Sequence, residues 1–188
     1  MSEPVTALDL PEADPLPEDV AALFAKCEAK LGLTPNVLRA YAHAPEKLRA
    51  FSRMYNDLML GESALTKLER EMIAVAVSSV NRCWYCVVAH GAAVRELSGD
   101  PALGEALAIN YRVAQITPRQ RAMLDFAVAM TEASHRIEEP DRARLRDHGF
   151  CDRDIWDIAS VAGFFNMSNR LASAVGMAPN EAYHAQAR

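Results

Sequence analysis

Residues 66–90, TKLEREMIAVAVSSVNRCWYCVVAH, hold a helix start, an apolar run and a paired-cysteine motif in immediate succession. Thr66 and Glu69 have the S/T-x-x-E form of a capping box, in which hydroxyl and carboxylate satisfy each other's backbone N–H groups, so a helix is expected directly after Thr66. Met72 to Val77 is apolar without interruption. Ser78 and Ser79 lower helix propensity, and Asn81 is a good N-cap, so a second helix is expected from Asn81. That spacing predicts Cys83 and Cys86 in the first turns of the second helix.

The chemistry follows from the helical repeat. The N–H groups and positive macrodipole end at a helix start favour a thiolate. Cys83 and Cys86 stand at i and i+3, and Cys86 and His90 at i and i+4, so Cys86 neighbours both a second thiol and a base. Cys83 is about two turns from His90, or about 10 Å along the axis. Cys86 is therefore the thiol expected to lose its proton to His90. Glu71, brought in from the preceding helix, is placed to hold the far nitrogen of His90, which completes a nucleophile–base–orienter arrangement.

Two plainer readings compete. Cys83, Cys86 and His90 can supply three ligands of a zinc site, but a fourth at matching spacing is missing, since Cys27 and Cys151 each stand alone. Purely structural cysteines are the other. The long apolar flanks favour redox chemistry over a metal knuckle, and no metal ligand is assigned.

The pattern E-x11-C-x-x-C-x3-H across an apolar helix resembles the alkylhydroperoxidase AhpD-like group of the carboxymuconolactone decarboxylase superfamily. The chain is most similar to its peroxidase-related branch, at the helix start Thr66 to Glu71 and at the late segment Phe164 to Ala172, FFNMSNRLA. The resemblance extends over most of the chain from about Leu33. It implies an all-helical fold, thiol-dependent reduction of hydroperoxides, an external dithiol or protein disulfide reductant, and a homo-oligomer, often a trimer or hexamer. Glu71, Cys83, Cys86 and His90 fall on the family's catalytic positions. One position departs: Tyr85 stands where AhpD proteins carry a second histidine. A phenol donates a hydrogen bond but is a poor proton acceptor at neutral pH.

Composition narrows the alternatives. The formal net charge is −5 and there is no lysine/arginine run, which argues against nucleic-acid binding. The apolar runs are far too short to span a bilayer. The N-terminus is acidic and proline-rich, unlike a signal peptide, so a cytoplasmic setting is expected, where C-x-x-C motifs serve redox or metal chemistry. No Gly-rich phosphate loop or other cofactor motif is present, and no cofactor is expected.

Residues 1–16, with Pro4, Pro11 and Pro15, read as an extended arm able to lie along a neighbour, and residues 17–188 as a single all-α domain of about eight helices. A helix from Pro17 to Leu31 has the apolar stripe Val20, Leu23, Phe24, Cys27, Leu31 and ends at Gly32. Thr34-Pro35 and Pro45 open the next two, with His43 in the turn between them as an accessory candidate or, more plainly, a C-terminal cap. Asp100-Pro101, Thr117-Pro118, Pro140 and Asp152 open the rest. Aligning Thr117 on Thr66 pairs Arg121 with Arg70, Met123 with Met72, Ala127 with Ala76 and Val128 with Val77, but Ala122 with Glu71. The shared positions read as packing and the unshared carboxylate as function. In the last long helix, Ile155, Ile158, Ala159, Ala162 and Phe165 form an apolar face. Asn166, Asn169 and Arg170 form a polar stripe, read as a solvated or inter-subunit face, or as one that brings Arg170 to a carboxylate. The rivals to a thiol peroxidase are a carboxymuconolactone decarboxylase-like lactone enzyme and a zinc- or partner-binding module.

Overall fold

The structure, a computed structural model, describes residues 4–188. It is all-helical: α1 (Glu18–Leu31), α2 (Asn36–Tyr41), α3 (Pro45–Leu60), α4 (Lys67–Val80), α5 (Trp84–Ser98), α6 (Pro101–Asn110), α7 (Pro118–Ala133), α8 (Glu139–Asp147), α9 (Asp152–Ala174) and α10 (Ala182–Ala185), with 3-10 turns after α6 and α7. Eight of these have nine residues or more, as expected; α10 has only 4 residues and carries no pattern that announces it.

α4 is the axis of the bundle, packed by α3, α5, α6, α7 and α9. Every residue from Glu69 to Ser78 is buried. A helix apolar on all sides has to be enclosed on all sides, and each fully buried side chain such as Met72 or Ile73 contributes about 1.5–3 kcal/mol. The three charged residues at its start are enclosed too, and each has a partner. Glu69 closes the capping box with Thr66 and accepts from Arg119 at 2.7 Å. Arg70 donates to the carbonyls of Leu65 (3.1 Å) and Leu58 (3.2 Å). Glu71 faces α5. The second capping box, Thr117 with Gln120, opens α7 as expected, and Arg121 reaches back to the Tyr111 and Ala114 carbonyls much as Arg70 does. The internal echo is thus one of packing.

Several boundaries differ from the sequence reading. α5 begins at Trp84 with Cys83 as its N-cap, because Asn81 is occupied elsewhere. Pro35 and Cys151, not Thr34 and Asp152, stand at the N-caps of α2 and α9, and the Asp154 carboxylate accepts from the Cys151 N–H at 2.8 Å. α1 sits at the rim, so its stripe is only partly covered: Val20 is buried, Leu23, Phe24 and Cys27 are half-buried, and Leu31 is exposed. Of the expected arm, residues 1–3 lie outside the described part, and the stretch over residues 4–16 carries no helix. It bonds to its own chain: Ala7 N–H donates to Val175, Ala178 N–H to Val5, and Ala13 N–H to Ala42.

Candidate active site

α4 and α5 pack side by side and bring Glu71 against His90. The His90 Nδ1 lies 2.6 Å from Glu71 Oε2, and both side chains are nearly enclosed. A carboxylate only accepts, so Nδ1 carries the hydrogen and Nε2 is left as the basic nitrogen. Phe165 of α9 holds the ring edge-on, with centroids 4.6 Å apart. The Glu71–His90 contact expected from the spacing is therefore present.

The turn before α5 presents the cysteines. Cys83 N–H donates to the Ser78 carbonyl at 3.0 Å, and Arg82 takes a left-handed conformation (φ 53) to make the corner. That conformation costs a non-glycine residue about 1–2 kcal/mol. Such strain concentrates at functional sites. Both thiols are free and only 1% exposed. Their environments differ. The Cys86 thiol, as hydrogen-bond donor, brings the Cys83 thiol down to about 6 against the cost of burial, with the Cys86 N–H, Ser173 and His90 helping. Cys86 is pushed up by the same hydrogen bond and by burial, although Asn169 and Ser168 act in the other direction. The spacing points to Cys86 as the thiol that loses its proton, whereas the surroundings of the two thiols favour the charge on Cys83, at the helix end.

The carboxymuconolactone decarboxylase family model matches residues 45–111, which run from the start of α3 to the turn after α6. The crystal structure of an uncharacterized peroxidase-related protein from Silicibacter sp. TM1040 is 67% identical, covers 100% of both chains and superposes with a TM-score of 0.97. The chain belongs to the AhpD-like, peroxidase-related branch of this family. A second such protein, described as an alkylhydroperoxidase AhpD core, from Ralstonia eutropha JMP134, is 45% identical over 100% of this chain and 98% of its own, with a TM-score of 0.96. The uncharacterized protein YdfG of Bacillus subtilis (strain 168) is 23% identical over 72% of this chain and 91% of its own. Membership supports an antioxidant or peroxidase-related role and an enzyme of the AhpD or carboxymuconolactone decarboxylase type.

The remaining candidates of this AhpD-like chain fall in different places. Tyr85 is buried, and its hydroxyl accepts from the Val37 N–H of α2 at 3.1 Å. Burial holds its pKa well above the ordinary value, so it anchors α2 over the thiols. His43 is exposed and its Nδ1 meets the Ala40 carbonyl at 2.9 Å, the capping role. Arg170 is exposed and donates to Asn166 of its own helix rather than to a carboxylate. The polar stripe is split: Asn169 is 0% exposed, whereas Arg170 faces solvent. Asn169 continues the apolar series 158, 162, 165 by one further turn, which was the available signal for its burial.

Sequence reasoning also missed Tyr55 and Tyr183. Burial raises both hydroxyls, Tyr183 to about 12, and the Glu71 charge adds to each shift, so both stand near the Glu71–His90 pair. The thiols themselves are covered by Val37, Ala40, Val175 and Met177. Asn180 ties this cover together: its Oδ1 accepts from Asn36 N–H at 2.7 Å and its Nδ2 donates to the Thr34 carbonyl at 2.9 Å. Among the described residues no three His, Cys, Asp or Glu side chains are grouped to hold a metal ion, and no helix is long and apolar enough to cross a membrane.

Proposed function

We propose that this chain reduces hydroperoxides through a Cys83–Cys86 dithiol–disulfide cycle in antioxidant defence. The observation that carries the reading is a pair of adjacent thiols in unequal environments beside a buried Glu71–His90 pair. The Cys83 thiolate attacks the outer peroxide oxygen; the O–O bond breaks and the alkoxide leaves. The alkoxide takes the Cys86 proton and departs as an alcohol. Cys86, now a thiolate, attacks the Cys83 sulfenic acid, the S–S bond forms, and hydroxide leaves. One proton is taken up to make water, and His90, oriented by Glu71, delivers it from solvent. An external dithiol or a protein disulfide reductant then restores the two thiols. No metal or organic cofactor enters a step.

A cytoplasmic setting, where thiols are kept reduced, suits the cycle. A homo-oligomer of three or six copies fits the family, and the exposed Trp156, Met167 and Leu171 of α9 supply apolar surface for it.

Thiol titration before and after one equivalent of cumene hydroperoxide tests the cycle. Two of the four thiols should disappear, with mass spectrometry finding Cys83 joined to Cys86 and Cys27 and Cys151 still free. A Cys27–Cys151 bridge, or no loss at all, removes the reading. The matched family model favours a second one, lactone chemistry by Glu71 and His90 alone as an acid–base pair. It requires turnover of a carboxymuconolactone by the Cys83→Ser/Cys86→Ser chain.

A further inference from the structure

Four polar side chains run inward from the surface of α9 to Cys86, and their hydrogen bonds can have only one direction. Arg170 NH1 donates to both oxygens it meets on Asn166, the backbone carbonyl at 2.6 Å and Oδ1 at 2.7 Å. A guanidinium has no acceptor, so Asn166 must turn its oxygen toward it. The Asn166 Nδ2 then donates to the Ala162 carbonyl (3.0 Å), which only accepts, and to Thr131 Oγ1 (2.9 Å). Both ends of the carboxamide fix the same orientation, which removes the usual ambiguity of an amide flip.

The next links follow. Asn166 Oδ1 accepts from Asn81 Nδ2 at 3.1 Å, and the same NH2 group donates to Asn169 Oδ1 at 2.9 Å. With its oxygen occupied, Asn169 turns its NH2 group to the other side. One N–H goes to Ser78 Oγ at 2.9 Å. The other is left over for the Cys86 sulfur, to which Asn169 is a neighbour. Asn169 is fully buried, so a donor without a partner there is expensive.

We propose that this chain of amides holds a hydrogen-bond donor on the Cys86 sulfur, and that Asn169 thereby stabilises the Cys86 thiolate that closes the disulfide. The proposal rests on the dithiol reading above. Asn169 touches a reacting atom; Asn81, Asn166 and Arg170 are positioning residues. A neutral donor suits the place, because a buried cation would bring its own desolvation cost. Cys83, Ser168 and Tyr85 also face Cys86, and His90 stands one helical turn beyond it. Of these, Tyr85 spends its hydroxyl on Val37.

The test needs no peroxide. In the full-length Cys83→Ser chain, Cys86 is titrated by thiolate absorbance at 240 nm, each variant being corrected with its own Cys86→Ser counterpart. Asn169→Leu should move the midpoint up by about one to two pH units, the tenfold to hundredfold that a hydrogen bond to a charged group represents. Asn81→Ala frees the Asn169 amide to turn and should shift it in the same direction by less. A lower melting temperature with unmoved midpoints in both overturns the proposal, since that is what a packing role alone produces. If Asn169→Leu fails to melt cooperatively, Asn81→Ala decides alone: a rise supports the donor and an unchanged midpoint overturns it. Shifted midpoints in a chain whose wild type leaves cumene hydroperoxide intact uphold the donor and remove the peroxidase reading.

Discussion

Replacing Glu71 by Gln leaves the shape of the α4–α5 contact and an oxygen that still accepts the His90 Nδ1–H; it removes only the charge. In the structure that charge sits 2.6 Å from the ring, with both side chains about nine-tenths enclosed, so solvent screens it little. A hydrogen bond to a charged group is worth about 1.5–3 kcal/mol against about 0.5–1.5 kcal/mol for a neutral one. The imidazolium that forms while His90 carries its proton should therefore lose about 1–2 kcal/mol, a fivefold to thirtyfold fall in the rate of disulfide closure. Stability should move far less, because removing a buried charge relieves its desolvation while weakening its hydrogen bond. Cumene hydroperoxide consumption with saturating dithiol, single-turnover disulfide formation and thermal melting are measured together. Glu71 and His90 act on one proton, so Glu71→Gln/His90→Asn should be no slower than His90→Asn alone. Wild-type turnover in a cooperatively melting Glu71→Gln chain, or losses that simply add in the double variant, would refute the reasoning.

The Cys83 thiolate should appear with a midpoint near 6 in the wild-type chain, followed at 240 nm, so its reactivity rises from pH 5 to 7 and is flat above. Cys86→Ala removes the largest cause of that shift and should raise the midpoint; an unmoved midpoint would mean the helix end alone sets it. Tyr85→Phe leaves the Val37 N–H of α2 without its acceptor and should cost about 1–3 kcal/mol by thermal melting. With α2 loosened, an Ellman-type reagent should reach the thiols faster in that variant, whereas an equal rate would show that α2 does not limit access. Thr66→Ala removes the cap of α4 and should cost about 1 kcal/mol, or roughly 2–4 °C, with turnover per folded molecule unchanged.

Most helix limits were legible because their causes are local. Thr66 with Glu69 and Thr117 with Gln120 cap their helices within four residues, and Gly32 and Gly149 end theirs at positive φ. Proline at the first turns of α3, α6 and α7 acts the same way. The Glu71–His90 contact was also within reach, from the resemblance and from one apolar helix leading into the next. What could not be read was which polar groups meet across the bundle. Asn81 has the right chemistry for an N-cap, but Asn166 and Asn169 of α9 recruit its side chain, and the cap passes to Cys83. Tyr85 reads as a hydrogen-bond donor and poor proton acceptor in place of a histidine, yet its hydroxyl accepts from Val37 of α2, 48 residues earlier. The unequal thiols depend on the same distant partners, Ser168, Asn169 and Ser173. Capping and periodicity are set by neighbours along the chain, whereas a buried polar group must find its partner wherever packing brings one, and only the folded bundle decides that.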